Sequence, residues 1–226
     1  MSVHSRLIQT DGYAVLSGTE MLIKAGLEAR VEVLFGSQLD GPMSYAELLA
    51  EHATLLADKG VATLLQPDAR QAIAAMTSAY LNGQAALAVV DAIGVVDAAG
   101  MILTPHRSLD EASEPGAALL CFDASDTSVG EAAGALLRRS GWVVMEPALQ
   151  DEVMAFAKAG IEISRVSGQP VALALPSMLM HGAATVACSA NQYPIGDRPD
   201  PPTERAVENT DPIATALAEA RSRQVN

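Results

Sequence analysis

The feature that most constrains this chain is an alternation. Six short apolar runs are separated by longer amphipathic stretches. The runs are VEVLFG (31–36), VATLLQ (61–66), AALAVVDA (85–92), AALLCF (117–122), WVVMEP (142–147) and VALALP (171–176). Each has the length of a buried strand. The stretches between them carry helix-start signals. Ser17 precedes Glu20 and Ser44 precedes Glu47 at the spacing of a capping box, in which each end satisfies the other's backbone N–H. Asp68 and Gln71 form a looser version of the same device. Gly36, Gly60, Gly83, Gly141 and Gly168 fall near element ends, where turns and helix C-caps belong. Six β-α repeats predict an α/β domain over residues 1–186. Its core would be a doubly wound, mainly parallel six-stranded sheet with helices on both faces.

Composition agrees with that architecture. Half of the 226 residues are hydrophobic, yet only 4% are aromatic, which suits close helix–sheet packing. The formal net charge of −13 opposes nucleic acid and anionic membranes as partners. The two cysteines, Cys121 and Cys188, have no CxxC or Cys/His spacing, so no zinc, iron–sulfur or disulfide framework is expected within the chain. Cys121 sits in an apolar run and reads as a small core residue. No secretory pattern and no apolar stretch of membrane-spanning length is evident, so a soluble, cytoplasmic protein is expected. Residues 187–226 change texture. They read as a Pro-rich extended arm closed by a short C-terminal helix (212–224), either docked on another subunit or disordered.

In a doubly wound sheet, ligands gather at the C-terminal strand ends. Here those ends are residues 36–42, 66–68, 91–94, 123–127, 146–150 and 176–181. Several familiar chemistries are absent. There is no Gly-x-Gly-x-x-Gly after the first run, no Walker lysine loop and no Gly-x-Ser-x-Gly elbow. His52 is expected on a helix surface and His106 in a loop. His181 is the better ligand candidate, because it follows the last run on the ligand side. Asp68 admits two readings, a helix N-cap or a group facing a ligand. Asp91 admits the same two.

Four stretches carry a resemblance: LSGTEMLIKAGLEARVEVLFGSQLDGP (16–42), ARQAIAAMTSAYLNGQAALAVV (69–90), GAALLCFDASD (116–126) and GWVVMEPALQDEVMAFAKAGIEISRVSGQPVALALP (141–176). Together they resemble the pyrimidine-binding domain of thiamine-diphosphate-dependent 2-oxoacid:ferredoxin oxidoreductases, closest to the indolepyruvate oxidoreductase branch. The last stretch, with its Glu-Pro turn, is the most specific. The resemblance implies a thiamine diphosphate shared between this chain and a partner chain. That partner would carry the diphosphate-binding domain with its Mg2+, and any iron–sulfur centres. The chain itself would hold no metal. A hetero-oligomer acting on a 2-oxoacid or related small molecule is the implied assembly.

The resemblance also implies site residues. Gly36, Ser37, Gln38, Gly41, Pro42, Pro67, Ala69, Arg70 and Gly94 would line the cofactor, with Asp123, Ser125, Thr127 and His181 at a substrate rim. The family's catalytic glutamate protonates the aminopyrimidine ring. It stands three residues before an Ala and fourteen before a Gly. Counting back from Ala72 and Gly83 puts Ala69 there, with Asp68 one residue early. A one-residue shift at a helix start rotates a side chain by about 100°. The family's Thr-Pro loop is here Gly41 and Pro42. Asp68 or Asp91 is the candidate replacement acid. The alternative is a subunit that has kept the fold and lost the chemistry.

Overall fold

The chain alternates strand and helix from Tyr13 onward. In order the elements are β1 (Tyr13–Ser17), α1 (Gly18–Glu28), β2 (Val33–Ser37), α2 (Met43–Ala57), β3 (Ala62–Gln66), α3 (Ala69–Leu81), β4 (Ala85–Asp91), α4 (Ala92–Asp97), β5 (Ala117–Asp123), α5 (Thr127–Arg139), β6 (Val143–Met145), α6 (Glu152–Ser167), β7 (Val171–Leu175), α7 (Ser177–His181) and β8 (Ala183–Ala187). This computed structural model describes residues 6–38, 43–102 and 116–193, with backbone alone at 43 and 44. Gly41, Pro42, the capping expectation at Ser44, His106 and the C-terminal helix at 212–224 lie outside the described residues.

All six apolar runs became strands of one parallel sheet in the order β3-β2-β4-β5-β7-β6. Period-two alternation sends successive side chains to opposite faces. On one face Leu34, Leu87, Val89, Leu119, Cys121 and Leu173 meet α1, α2 and α6. On the other Phe35, Ala86, Ala88, Val90, Ala118, Leu120 and Ala172 meet α3, α4 and α5. The doubly wound α/β expectation therefore holds. From β2 the chain moves outward to β3, then returns to start β4 on the other side of β2. The connections leaving β2 and β4 diverge, the topology that in open α/β sheets places a crevice at the C-terminal strand ends.

Local signals explain most element ends. Ser17 N donates to Glu20 Oε2 at 2.6 Å and Glu20 N donates to Ser17 Oγ at 3.3 Å, the complete capping box. Gly168 ends α6 at φ 65°, a left-handed cap that favours glycine. Gly36 falls near the end of β2, as expected, but in the strand and not in a turn. A Cβ there would come within 3.0 Å of Leu65 Cδ2 and 3.6 Å of Tyr45 Cδ1. The missing side chain lets the Tyr45 ring lie over the strand. His52 differs from expectation: it is fully buried, on the inner face of α2.

The β1–β8 antiparallel pair was not legible in the sequence. Its paired residues lie 166 to 174 positions apart, from Ser17 facing Ala183 to Tyr13 facing Ala187. Neither YAVLS nor AATVA contrasts its two faces in hydropathy. Behind α1, Lys24 is fully buried and pairs with Glu28 at 3.3 Å. Lys158 Nζ lies 2.7 Å from Glu28 Oε2. Ser189 N and Oγ donate to the two Glu28 oxygens at 2.7 and 2.9 Å, and Lys24 Nζ donates to Asn191 Oδ1 at 2.5 Å. This network ties the segment after β8 to α1 and α6. Among the described residues no helix is long and apolar enough to cross a membrane.

Candidate functional site

Strand β3 ends at Gln66 because Pro67 can donate no ladder hydrogen bond. Asp68 then starts α3 from an extended conformation. Its Oδ1 accepts Gln71 N at 2.8 Å and its Oδ2 accepts Gln71 Nε2 at 3.1 Å. Both carboxylate oxygens are thus engaged at the helix start. Pro67 and Arg70 are exposed beside it. The next junction repeats the design: Asp91 ends β4, and its Oδ1 accepts Gly94 N at 2.6 Å as the N-cap of α4.

Between these two junctions lies Ala69, 1% exposed. A Cβ built on Gly94 would come to 2.1 Å of the Ala69 Cβ. The glycine is therefore what allows α4 to rest directly on the first turn of α3. At Ala69, the position the resemblance would give to a glutamate, the space beside the backbone is filled by a neighbouring helix. On the other side of the crevice, β2 ends in buried Ser37 and exposed Gln38, whose N–H donates to Gln66 O at 2.9 Å. Gly36 is held in the strand beneath Tyr45, so it supports the crevice from within. Ser37, Gln38, Pro67, Asp68, Ala69, Arg70, Asp91 and Gly94 thus all fall at the C-terminal ends of β2, β3 and β4 or on the first turns that follow.

The rim candidates divide. Asp123 ends β5, and its Oδ1 accepts both the N–H, at 2.9 Å, and the hydroxyl of Ser125. Ser125 Oγ in turn accepts Ser177 N at 2.7 Å, which joins the β5 loop to α7. Thr127 lines a cleft of about 350 Å³ with Ala124, Glu131, Arg138, Glu146, Pro147 and Pro176. His181 stands apart from these. It is exposed in a separate cleft lined by Ser17, Thr19, Glu20, Glu47 and Glu51.

Two features of the rim were not read from the sequence. Arg138 in the last turn of α5 forms an ion pair with Glu146 of the Glu-Pro turn, across β6. Gly134 gives the guanidinium room, since a Cβ there would meet Arg138 Nη1 at 3.2 Å. The only sequence signal was an opposite charge eight residues away, a spacing that means nothing without the fold. The second feature is Asp126, which caps α5. The Ser128 hydroxyl, with the Val129 N–H, holds its carboxyl below the usual carboxylate range despite the opposing effect of desolvation. A charged cap already occupies the α5 N-terminus, so that end is not an anion site. No cluster of three metal-ligating side chains occurs among the described residues.

No protein-family model matches the chain, and no curated protein matches it. Solved structures do resemble it. The 2-oxoglutarate:ferredoxin oxidoreductase of Magnetococcus marinus, with 2-oxoglutarate, coenzyme A and succinyl-CoA bound, superposes with a TM-score of 0.61 at 13% identity. That match covers 84% of this chain and 35% of the other. The thiamine diphosphate-dependent 4-hydroxybenzoylformate decarboxylase of Rhodococcus jostii RHA1 superposes with a TM-score of 0.50 at 17% identity, over 78% of this chain and 32% of that one. The chain spans about a third of the length of each of these structures. What they share with it is the fold, a six-stranded parallel α/β domain of the kind found within 2-oxoacid oxidoreductases and thiamine diphosphate-dependent decarboxylases.

Proposed function

We propose that this chain is the pyrimidine-side subunit of a heteromeric thiamine-diphosphate-dependent 2-oxoacid oxidoreductase or decarboxylase. The diphosphate-binding domain and its Mg2+ belong to a partner chain, as do any iron–sulfur centres. The observation that carries this reading is the strand order together with its crevice. Ser37, Gln38, Asp68, Asp91 and Gly94 gather where the connections leaving β2 and β4 diverge. Both structural neighbours are larger proteins, which supports a missing portion supplied from outside these 226 residues.

The residues present do not fit one part of the cofactor's usual chemistry. When bound, thiamine would supply a carbon nucleophile, and the resemblance assigns an acid beside its aminopyrimidine ring to support that chemistry. The position of that acid is Ala69, closed off by Gly94. Asp68 has both oxygens committed to Gln71, and Asp91 commits one to Gly94. The contact between Ala69 and Gly94 therefore favours a second form of the reading. In it the chain forms one wall of the site as a structural or regulatory subunit and leaves proton transfer to another chain.

Purification of the chain with its partner, followed by thiamine assay and turnover measurement, tests both forms. Retained thiamine diphosphate supports the shared reading, and a partner-free chain with an unrelated ligand defeats it. Turnover lost in Asp68→Ala or Asp91→Ala, with thiamine still bound, restores the catalytic form. Turnover unchanged in both variants leaves the structural form.

A further inference from the structure

The β1–β8 ribbon has two free edges, and they differ. Along β1, the Val15 carbonyl accepts Arg6 Nη1 at 2.9 Å and the Tyr13 carbonyl accepts Gln9 Nε2 at 3.2 Å. These carbonyls point away from β8, so the hydrogen-bonded pairs of the ribbon are the even-numbered ones. Gly18 N to Gly182 O and Cys188 N to Gly12 O continue that pattern at its two ends. Antiparallel alternation then turns the N–H and C=O of Ala183, Thr185 and Ala187 outward, away from β1. Among the described residues no hydrogen bond closes on that edge of β8. Among the described residues the β1 edge is covered by side chains and the β8 edge is open.

The open edge faces a groove of about 290 Å³ beside α6, lined by Asp151, Met154, Ala155 and Lys158. Two contacts give the helix its direction relative to the strand. Gln150 Nε2 donates to Gly182 O at 2.8 Å, just before β8, and Lys158 Nζ reaches Ser189 Oγ at 3.2 Å, just after it. Asp151 therefore lies at the start of β8 and Lys158 at its end.

We propose that β8 pairs antiparallel with β8 of a second copy of this chain, about a two-fold axis at Thr185. That register sets Thr185 against Thr185 and Ala183 against Ala187, so every outward backbone group meets its complement. The same axis brings Asp151 of one copy toward Lys158 of the other, where Lys24 and Lys158 around Glu28 leave one net positive charge, an opposite-charge contact made twice. In a chain of net charge −13, this is the charge complementarity a second copy requires. The outer faces join into one four-stranded surface carrying Tyr13 and Val15, 74% and 53% exposed in the single chain. Arg6 and Gln9 close the outer edges, so pairing stops at a closed dimer and does not propagate into a fibre.

Sedimentation equilibrium of the full chain across the micromolar range tests this. The wild-type chain is expected to dimerise. Thr185 is exposed, so Thr185→Glu and Thr185→Lys are expected to keep the wild-type circular dichroism. Each places like charges at the axis and weakens self-association by about tenfold or more. An equimolar mixture of the two restores the dimer, because Glu then faces Lys. A wild-type chain that stays monomeric overturns the proposal. So do single variants that dimerise like wild type, or a mixture that stays monomeric. Thiamine plays no part in this test, so its outcome is separate from that of the proposed function.

Discussion

The back of α1 and the crevice at the ends of β2 and β4 both gather acidic side chains, but in different ways. Glu28 is 3% exposed and holds two lysines and Ser189, joining α1, α6 and the segment after β8. Asp68 and Asp91 are half-buried and each starts the helix that follows it. Burial alone raises the Glu28 carboxyl. The hydrogen bonds from Lys158 and Ser189, with the Lys158 charge, outweigh that and hold it below its ordinary range. This buried carboxylate thus ties distant segments together, while the acids at the ends of β3 and β4 are modest caps. Where the thiamine reading calls for an acid, the chain offers a methyl group against a glycine.

Substitutions can break or sharpen that contrast. The largest effect is expected at the network. Glu28→Gln leaves Lys24 buried without its counter-charge, and stability in urea is expected to fall by about 3–5 kcal/mol. A loss below about 1 kcal/mol would put the two regions on the same footing. The network also has a pH signature. Because the folded carboxyl is depressed, its contribution is complete above the unfolded glutamate pKa of about 4.3. It is lost as pH falls through the lower folded value. Glu28→Gln should flatten that acid limb of the stability profile.

Next comes the closed position. Ala69→Glu forces a longer side chain against α4, and thermal unfolding is expected to show a loss of about 1–3 kcal/mol. A neutral Ala69→Glu would mean the junction has room for the acid after all. Asp68→Ala and Asp91→Ala remove caps and should each cost about 1 kcal/mol. Arg138→Ala breaks an ion pair whose side chains are 51% and 60% exposed, and its effect should stay within about 1 kcal/mol.

The sequence was most readable where its signals are local. The apolar runs became the six parallel strands, Ser17 and Glu20 became a capping box, and Asp68 became an N-cap. The β1–β8 ribbon escaped because its pairing joins residues some 170 positions apart, with no hydropathy contrast to announce it. The burial of His52 is not legible in the sequence, because one polar residue on a helix gives no sign of which way it faces. At the site, the strand ends were legible as places. The meaning of Gly94 was not, since a glycine's tertiary contact with Ala69 leaves no trace in spacing. His181 looked like part of the rim because it follows β7 in sequence. The turn of α7 carries it to a different cleft.

On the proposed function, the strand ends of β2 and β4 form one wall of a thiamine diphosphate site completed by a partner chain. Calorimetric titration of thiamine diphosphate with Mg2+ into the purified complex tests it most directly, comparing wild type with Gln38→Trp. Gln38 is exposed at the end of β2, so the bulky ring should obstruct the crevice without disturbing the core. Saturable binding is expected for the wild-type complex, none for this chain alone, and at least about a tenfold loss for the Gln38→Trp complex at unchanged thermal stability. Binding that is absent from the wild-type complex, or equally tight with Gln38→Trp, would contradict it.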